Sequence, residues 1–322
     1  MVTLDDFNKT VRFIDVDSKM PNLALMKLSA YYKAQRYQTG FNVRDPDLVF
    51  TSVIFKENKD IAEKLTMDTG CACTNIGGSG YDLQKFLPPE IEYIRPDYSL
   101  YPHCDYSLGY TTRGCHRNCS FCIVPQKEGK YRIVQHPREF HNPLFKKITL
   151  LDNNIFYDPN WFFEVTSWGM ENRLSFDFKS GLDIRILTPE IADRLKELKK
   201  FKPLKFAFDD SSKYYVEKVI EGIDILKESG INVRSCLFYV YVDNDDQLED
   251  AVSRCNLIKK LGGTAFSMVN RDAVSTVGLR AIKRWTRPWA FWSSEFGYVR
   301  DGSPSLAVPD LLQKYDLAFG VA

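Results

Sequence analysis

The sequence predicts a mixed α/β protein built on parallel sheets, with a compact first part, a longer second part and a short helical extension. Three observations carry that expectation. Short, mostly apolar runs such as Leu48 to Phe55 read as strands buried on both faces, as in parallel sheets. These runs alternate with stretches of helical period along most of the chain. Most of the runs end in polar residues, for example Asp152-Asn153-Asn154, Asp209-Asp210 and Asp243-Asn244-Asp245, so one edge of the fold would collect side chains able to do chemistry.

The 322 residues suffice for one large barrel or two domains, and 44% apolar with 26% charged residues excludes a disordered chain. A net charge of +1 gives no global attraction to nucleic acid, so any such binding would depend on a local patch. No apolar run is long enough to span a bilayer. The acidic start, Met1-Val2-Thr3-Leu4-Asp5-Asp6-Phe7, lacks a leader pattern, and a soluble cytoplasmic protein is expected. Eight cysteines in that setting point to a reducing compartment and to metal or thiol chemistry. The chain shows no internal repeat.

Taken in order, Val11 to Asp17 reads as a buried strand ending in acids. Pro21 and Asn22 open a helix that runs to about Gln35, with Leu23, Met26, Leu28 and Ala30 on its apolar side. Leu48 to Phe55 is a second strand, Lys56 to Lys64 a charged helical connection, and a third short strand ends in the glycine turn Gly77-Gly78-Ser79-Gly80. Strand and helix thus alternate into a small Rossmann-like unit over residues 1–95. A proline-punctuated stretch through Pro88, Pro89, Pro96 and Pro102 predicts an extended linker.

From Tyr106 the alternation repeats about six times, which predicts a partial (β/α)6 barrel over residues 96–272. Its strands are read at Tyr106–Thr112, Lys147–Leu151, Leu174–Ile186, Leu204–Phe208, Ile231–Val242 and Thr264–Val269. Its helices include one capped by Thr188 with Pro189 in first place, one from Val216 to Glu228 and one from Gln247 to Lys260. Residues 273–322 form a basic and aromatic helical extension: Arg280, Lys283, Arg284 and Arg287 share one helix face before Pro288, among Trp285, Trp289, Phe291, Trp292, Phe296 and Tyr298. A solvated basic face is the plain reading of that stripe; the alternative is a hold for a phosphorylated or nucleic-acid substrate. A last helix is expected at Pro309–Tyr315.

The chemistry concentrates in Gly114-Cys115-His116-Arg117-Asn118-Cys119-Ser120-Phe121-Cys122, a C-x3-C-x2-C triplet. Thiolates so close together can converge on an iron–sulfur cluster or on zinc, and both closed sites need a fourth ligand. Three cysteines on one loop would leave one iron of a 4Fe–4S cluster open to a substrate or cofactor. Zinc completed by His116 or by Cys71 and Cys73 is the competing reading, although zinc ligands usually come as two spaced pairs.

The triplet, with Phe121 just before its third cysteine, resembles the radical S-adenosylmethionine (radical SAM) superfamily. That resemblance implies that Cys115, Cys119 and Cys122 hold a 4Fe–4S cluster whose open iron chelates SAM. Electron transfer would then cleave the sulfonium to a 5′-deoxyadenosyl radical that abstracts hydrogen from an unidentified substrate. Leu151-Asp152-Asn153-Asn154-Ile155-Phe156 is similar to a D-D-N-F variant of the motif that receives the SAM amino group, which assigns Asp152 and Asn153 there, with helix capping as the alternative. Arg185 stands where related enzymes contact the SAM carboxylate, unless it simply pairs with Asp183. Asp209 would touch ribose or substrate, and Phe121 with Ile123 would shield cluster and adenine or serve in ordinary packing.

Ser52 and Gly77-Gly78 give the first part a weak resemblance to the cobalamin-binding-like domain of one branch of that superfamily. The D-x-H-x-x-G pattern is replaced by Asp15-Val16-Asp17-Ser18-Lys19-Met20, so bound cobalamin is not favoured and a docking or substrate-shaping role is. The expected partners are a reductase such as flavodoxin or ferredoxin and a substrate not identified by the sequence. Two other functions stay open: a cobalamin-dependent radical SAM methyltransferase, and a non-catalytic zinc or iron–sulfur protein that binds nucleic acid. A methylthiolating enzyme is disfavoured because Cys71, Cys73 and Cys104 are late and oddly spaced for a second cluster. Acid–base residues on the substrate side cannot be named; His103, His116, His136 and His141 carry no motif.

Overall fold

The structure, a computed structural model, describes residues 9–297. They form two compact units, one of residues up to 118 with 122–151, the other of 119–121 with the residues from 152 onward. Tyr298, the helix expected at Pro309–Tyr315 and the acidic start lie outside the described residues. Among the described residues no helix is long and apolar enough to cross a membrane.

The first unit opens with β1 (Thr10–Asp15), α1 (Leu23–Ala34), β2 (Gln38–Gly40), β3 (Leu48–Ser52), α2 (Lys59–Met67) and β4 (Thr74–Gly77). The strands make one parallel sheet in the order β2-β1-β3-β4, with Phe13 beside Phe50 and Phe50 beside Asn75. This is the expected Rossmann-like alternation. Asn22 caps α1 by accepting the Leu25 N–H at 3.2 Å. The helix buries Leu25, Met26, Lys27, Leu28 and Ser29, so Met26 and Leu28 face inward as expected while its middle turn is covered on all sides and Leu23 and Ala30 are only half-buried. Lys27 is tolerated there because its ammonium meets Glu92 at 3.1 Å. The short edge strand β2 has no apolar run and was not expected.

β3 stops at Ser52 rather than reaching Phe55, and a side chain distant in sequence is the cause. Asp17 takes the N–H groups of Ile54 and Phe55 at 2.8 and 3.1 Å, withdrawing them from the ladder. The turn after β4 then lies against this segment: a Cβ at Gly78 would stand 2.2 Å from the Val53 carbonyl oxygen. That close approach alone requires glycine.

The linker is less extended than its prolines suggest. It contains α3 (Pro89–Glu92) and a 3-10 turn at Tyr98–Leu100 capped by Asp97. Pro89 sits in the first turn of α3, where its missing N–H costs nothing. Tyr98 is buried and donates to the Phe140 carbonyl at 2.7 Å. The unit closes with β5 (Ser107–Gly109), β6 (Thr112–Arg113), α4 (Val124–Lys127), β7 (Arg132–Ile133), α5 (Pro137–Phe140) and β8 (Lys147–Leu150). β5 and β8 pair in parallel, β6 and β7 antiparallel. The expected strand from Tyr106 to Thr112 is thus two short pieces.

The second unit runs α6 (Pro159–Glu171), β9 (Ser175–Phe178), α7 (Pro189–Glu197), β10 (Lys199–Lys200), β11 (Lys205–Ala207), α8 (Lys213–Glu228), β12 (Leu237–Val242), α9 (Leu248–Lys260), β13 (Thr264–Val269), α10 (Val277–Trp285) and α11 (Pro288–Ser293). β11, β12 and β13 are parallel neighbours, β9 pairs in parallel with β10, and Leu182 bridges to Phe206. Asp158, Thr188 and Thr276 cap α6, α7 and α10 through their side chains, as the expected Thr188 cap requires.

Two expected strands are shorter in the structure. The run Leu174–Ile186 leaves the sheet after Phe178, turns at Gly181 (φ +95°) and ends in a 3-10 turn capped by Asp183. The run Ile231–Val242 begins as strand only at Leu237, because Asn232 accepts the Arg234 N–H at 3.1 Å and forms a turn first. In both cases a short side-chain turn outcompetes apolar strand propensity. At the end of the unit, α10 stops at Trp285 and Pro288 starts a new helix.

Lys205 and Asp177 form an ion pair buried to 7% and 5% exposure. Removing one partner strands a charge, so Asp177→Ala should cost roughly 3 to 5 kcal/mol in denaturant unfolding, whereas Asp177→Leu with Lys205→Met should recover most of it.

Candidate active site

The approach to the cysteine loop is rigidly built. Arg113, at the end of β6, donates to Glu92 at 2.7 Å and to Glu128 at 2.8 Å, while stacking on Tyr110 at 3.6 Å. Glu128 also accepts the Gly114 N–H at 2.9 Å. Gly114 has φ +74° and its position leaves no room for a Cβ, which would stand 2.2 Å from the Lys130 carbonyl oxygen. The Cys115 N–H then donates to the Gly129 carbonyl at 3.2 Å. Glycine is therefore required immediately before the first cysteine.

Past that anchor, residues 115–123 have no regular secondary structure. Cys115, Cys119 and Cys122 are each half-buried and outside any disulfide. The Arg117 N–H points at the Cys115 sulfur at 3.4 Å. Among the described residues no three His, Cys, Asp or Glu side chains are gathered as a metal-binding group. Cys71 turns its thiol to the carbonyls of Asp47 and Cys73, each at 3.4 Å. Cys104 is buried on the Tyr106 carbonyl, with its thiol pushed up by burial. His141 is buried against Ser107 and held below its ordinary value by burial.

The second unit gathers a polar constellation at its strand ends. Asp152 and Asn154 are buried to 5% and 4% exposure, and Asn153 between them is half-buried. Asn154 donates through Nδ2 to Asp183 at 3.2 Å, while its buried Oδ1 meets no donor among the described residues. Asp183 in turn holds Arg185 in a two-pronged pair at 2.7 and 3.0 Å. The guanidinium lies over the Tyr215 ring at 4.3 Å, and its Nη1 donates to no group among the described residues. Burial works against this charge, yet the Asp183 hydrogen bonds, with help from Tyr215 and Cys119, raise the Arg185 pKa. The expected alternative, Arg185 pairing with Asp183, is thus what the structure has; the pairing occupies only part of the guanidinium.

Asp209 follows β11 and is pushed up to about 6 by burial, against the opposing pull of Arg254 and Arg185. Arg254, on the inner side of α9, donates to the Phe208 carbonyl at 2.7 Å, to the Tyr241 carbonyl at 3.0 Å and to Asp250 at 2.8 Å. It therefore ties the ends of β11 and β12 together. Tyr241 stacks on Phe121 with centroids 4.1 Å apart and planes 18° apart. Its hydroxyl donates to Asp243 at 3.0 Å, which also accepts from Asn270 at 2.7 Å.

The raised carboxyl of Asp209 has a thermodynamic consequence. The folded state holds this proton more tightly than the unfolded chain, so its stabilising contribution is full below about pH 4 and is lost as pH rises through about 6. Unfolding measured across that window should show a loss of about 1 to 2 kcal/mol, discounted for partial exposure, that Asp209→Asn removes.

Of the residues singled out from the sequence, Arg185 and Asp209 share one charged neighbourhood and Phe121 joins the Tyr241 side of it. Tyr215, Tyr241 and Arg254 carry no assignment from the sequence, Asp183 only that of alternative partner to Arg185, and Asn154 and Asp243 only that of polar strand-end residues. One signal was legible: Arg254 interrupts the apolar face Leu248, Ala251, Val252, Cys255 and Ile258 of α9, and a cation there must be paired.

Residues 110–255 match the family model described as the Radical SAM superfamily. The match starts five positions before Cys115 and ends one after Arg254, so it encloses the loop and most of the strand-end constellation. No curated protein matches the chain.

Proposed function

We propose that, with its radical SAM domain over residues 110–255 as the catalytic part, this enzyme cleaves SAM reductively and abstracts hydrogen from a substrate. The domain implies a 4Fe–4S cluster and SAM. The residues fit that pair: three thiols outside any disulfide on one irregular loop, a backbone N–H aimed at a sulfur, and, in the same matched stretch, an arginine fixed by Asp183. When bound, cluster and SAM would supply a 5′-deoxyadenosyl radical.

The observation that carries the reading is the Asn154–Asp183–Arg185 hydrogen-bond chain inside the matched residues 110–255 that also hold the three cysteines. Cys115, Cys119 and Cys122 would hold the cluster. Arg185 would offer Nη1 to the SAM carboxylate while Asp183 keeps the guanidinium aimed. The bare Oδ1 of Asn154, with Asp152 and Asn153 beside it in sequence, would accept from the ammonium. Asp209 would accept from a ribose hydroxyl, best above about pH 6 where it is ionised. Phe121, backed by Tyr241, would cover the adenine side and exclude water.

In this reading residues 1–95 are a docking or substrate-shaping domain without cobalamin, residues 96–272 a partial barrel and residues 273–322 a cap. The electron would come from a flavodoxin- or ferredoxin-like partner. Anaerobic reconstitution with iron and sulfide, dithionite reduction and assay for 5′-deoxyadenosine tests it. Cluster-dependent product is expected, and a corrin spectrum would shift the reading to methyl transfer. A colourless, zinc-loaded protein that leaves SAM intact would overturn it.

A further inference from the structure

We propose that the outer face of α10, together with Trp289, binds the phosphate backbone and bases of single-stranded nucleic acid. Residues 273–294 contain Arg280, Lys283, Arg284 and Arg287 and no acidic residue, within a chain whose net charge is only +1. Leu279, Ile282 and Trp285 turn inward and are buried, and all four cations are exposed. The side chains of Lys283, Arg284 and Arg287 make no ion pair or hydrogen bond among the described residues, and Arg280 donates only to Ser275.

Surface cations elsewhere in this unit are treated differently. On α8, Lys213, Lys218 and Lys227 each stand three or four positions from an acid, Glu217, Glu221 and Asp224. On α10 the neighbour at that spacing is a like charge, Arg280 with Arg284, and Lys283 on the helix and Arg287 just past its end add further positive charge with no acid among them. Such a pair weakens a helix, and only the cations of the last turn gain from its dipole. An external polyanion would relieve that repulsion and release counterions.

The indoles sharpen the identity of the polyanion. Trp285 is buried and donates to the Ser294 carbonyl, and Trp292 donates to Thr264. Trp289, on α11 two positions after Arg287, is 68% exposed and offers a ring on which a base can stack. A lipid surface fits less well, because the apolar side of α10 is committed to the core and cannot insert. The face also begins near the strand-end edge: the Thr276 hydroxyl donates to Asp245 at 2.7 Å, two positions after Asp243.

The test is fluorescence anisotropy of the full chain with a labelled single-stranded oligouridylate and with its DNA counterpart, over a series of salt concentrations. Because the surface is independent of the cluster, binding is read on protein with or without iron, so it stands or falls separately from SAM cleavage. Lys283→Glu with Arg284→Glu and Arg287→Glu should weaken binding at least tenfold and flatten the logarithmic salt dependence by about 2, near 0.7 per lost contact. Trp289→Ala should cost roughly tenfold with the salt slope unchanged. Arg284→Lys with Arg287→Lys should retain binding, which separates lost charge from lost fold. Wild-type affinity in the triple variant, absence of binding by the unaltered chain, or tighter capture by phosphatidylserine vesicles than by either oligonucleotide would overturn the proposal.

Discussion

Cys119→Ala will yield a folded protein that, after anaerobic reconstitution, holds far less iron and forms no 5′-deoxyadenosine. The folding half of this expectation rests on position. Cys119 is half-buried in a segment without helix or strand, so trimming it removes little packing. The anchors of the loop, Arg113 on Glu92 and Glu128 with Gly114 against Lys130, do not involve it. The functional half rests on ligand number, since two thiolates cannot hold what three do. Iron analysis with the 5′-deoxyadenosine assay checks it, and unchanged product would remove Cys119 from the ligand set. Cys255→Ala is the control: that thiol is wholly buried on α9 and pushed up to about 12 by burial, so its loss should affect stability and leave iron binding intact.

Arg185→Ala should weaken SAM binding to the reconstituted protein by about 100-fold, as expected for losing a charged, geometrically fixed hydrogen-bond donor. It should also lower stability by roughly 3 kcal/mol, because Asp183 would be left ionised and buried without its guanidinium. Arg185→Lys keeps the charge and should recover most of the stability, but it cannot both pair with Asp183 through two nitrogens and present a third to a ligand. Equilibrium SAM binding and denaturant unfolding, measured on both variants, separate the two roles. Equal SAM affinity in wild type and Arg185→Ala would confine Arg185 to a structural pair.

Arg254 offers a milder case of the same logic. It touches the carbonyls of Phe208 and Tyr241 and lies near Asp209, so it positions the site from behind. Arg254→Met should raise the Asp209 pKa further, because the opposing positive charge is gone. The stability window of that carboxyl would then extend to higher pH, which a pH series of unfolding midpoints can follow.

Local chemistry was legible along the chain wherever the determining atoms are neighbours. Asn22 and Thr188 cap helices because a side-chain oxygen reaches an N–H three positions on. The same local reach explains the misread strands, where Asp183 and Asn232 turn apolar runs out of the sheet. Thr264–Val269 contains no such competitor and is strand over its whole expected length.

The sequence by itself determined the alternation of parallel strands and helices, the three thiols on one loop and the glycine before them. These depend on residue type and on separations of a few positions, within which side chains must meet or cannot. Tertiary structure alone decided the charge states and partners. It put Asn154 on Asp183, across 29 positions, and placed Arg254 behind Phe208, across 46. It also raised Asp209 to about 6 through burial between strand ends. Long-range burial fixes which buried polar atoms are satisfied, and one-dimensional spacing carries no record of it.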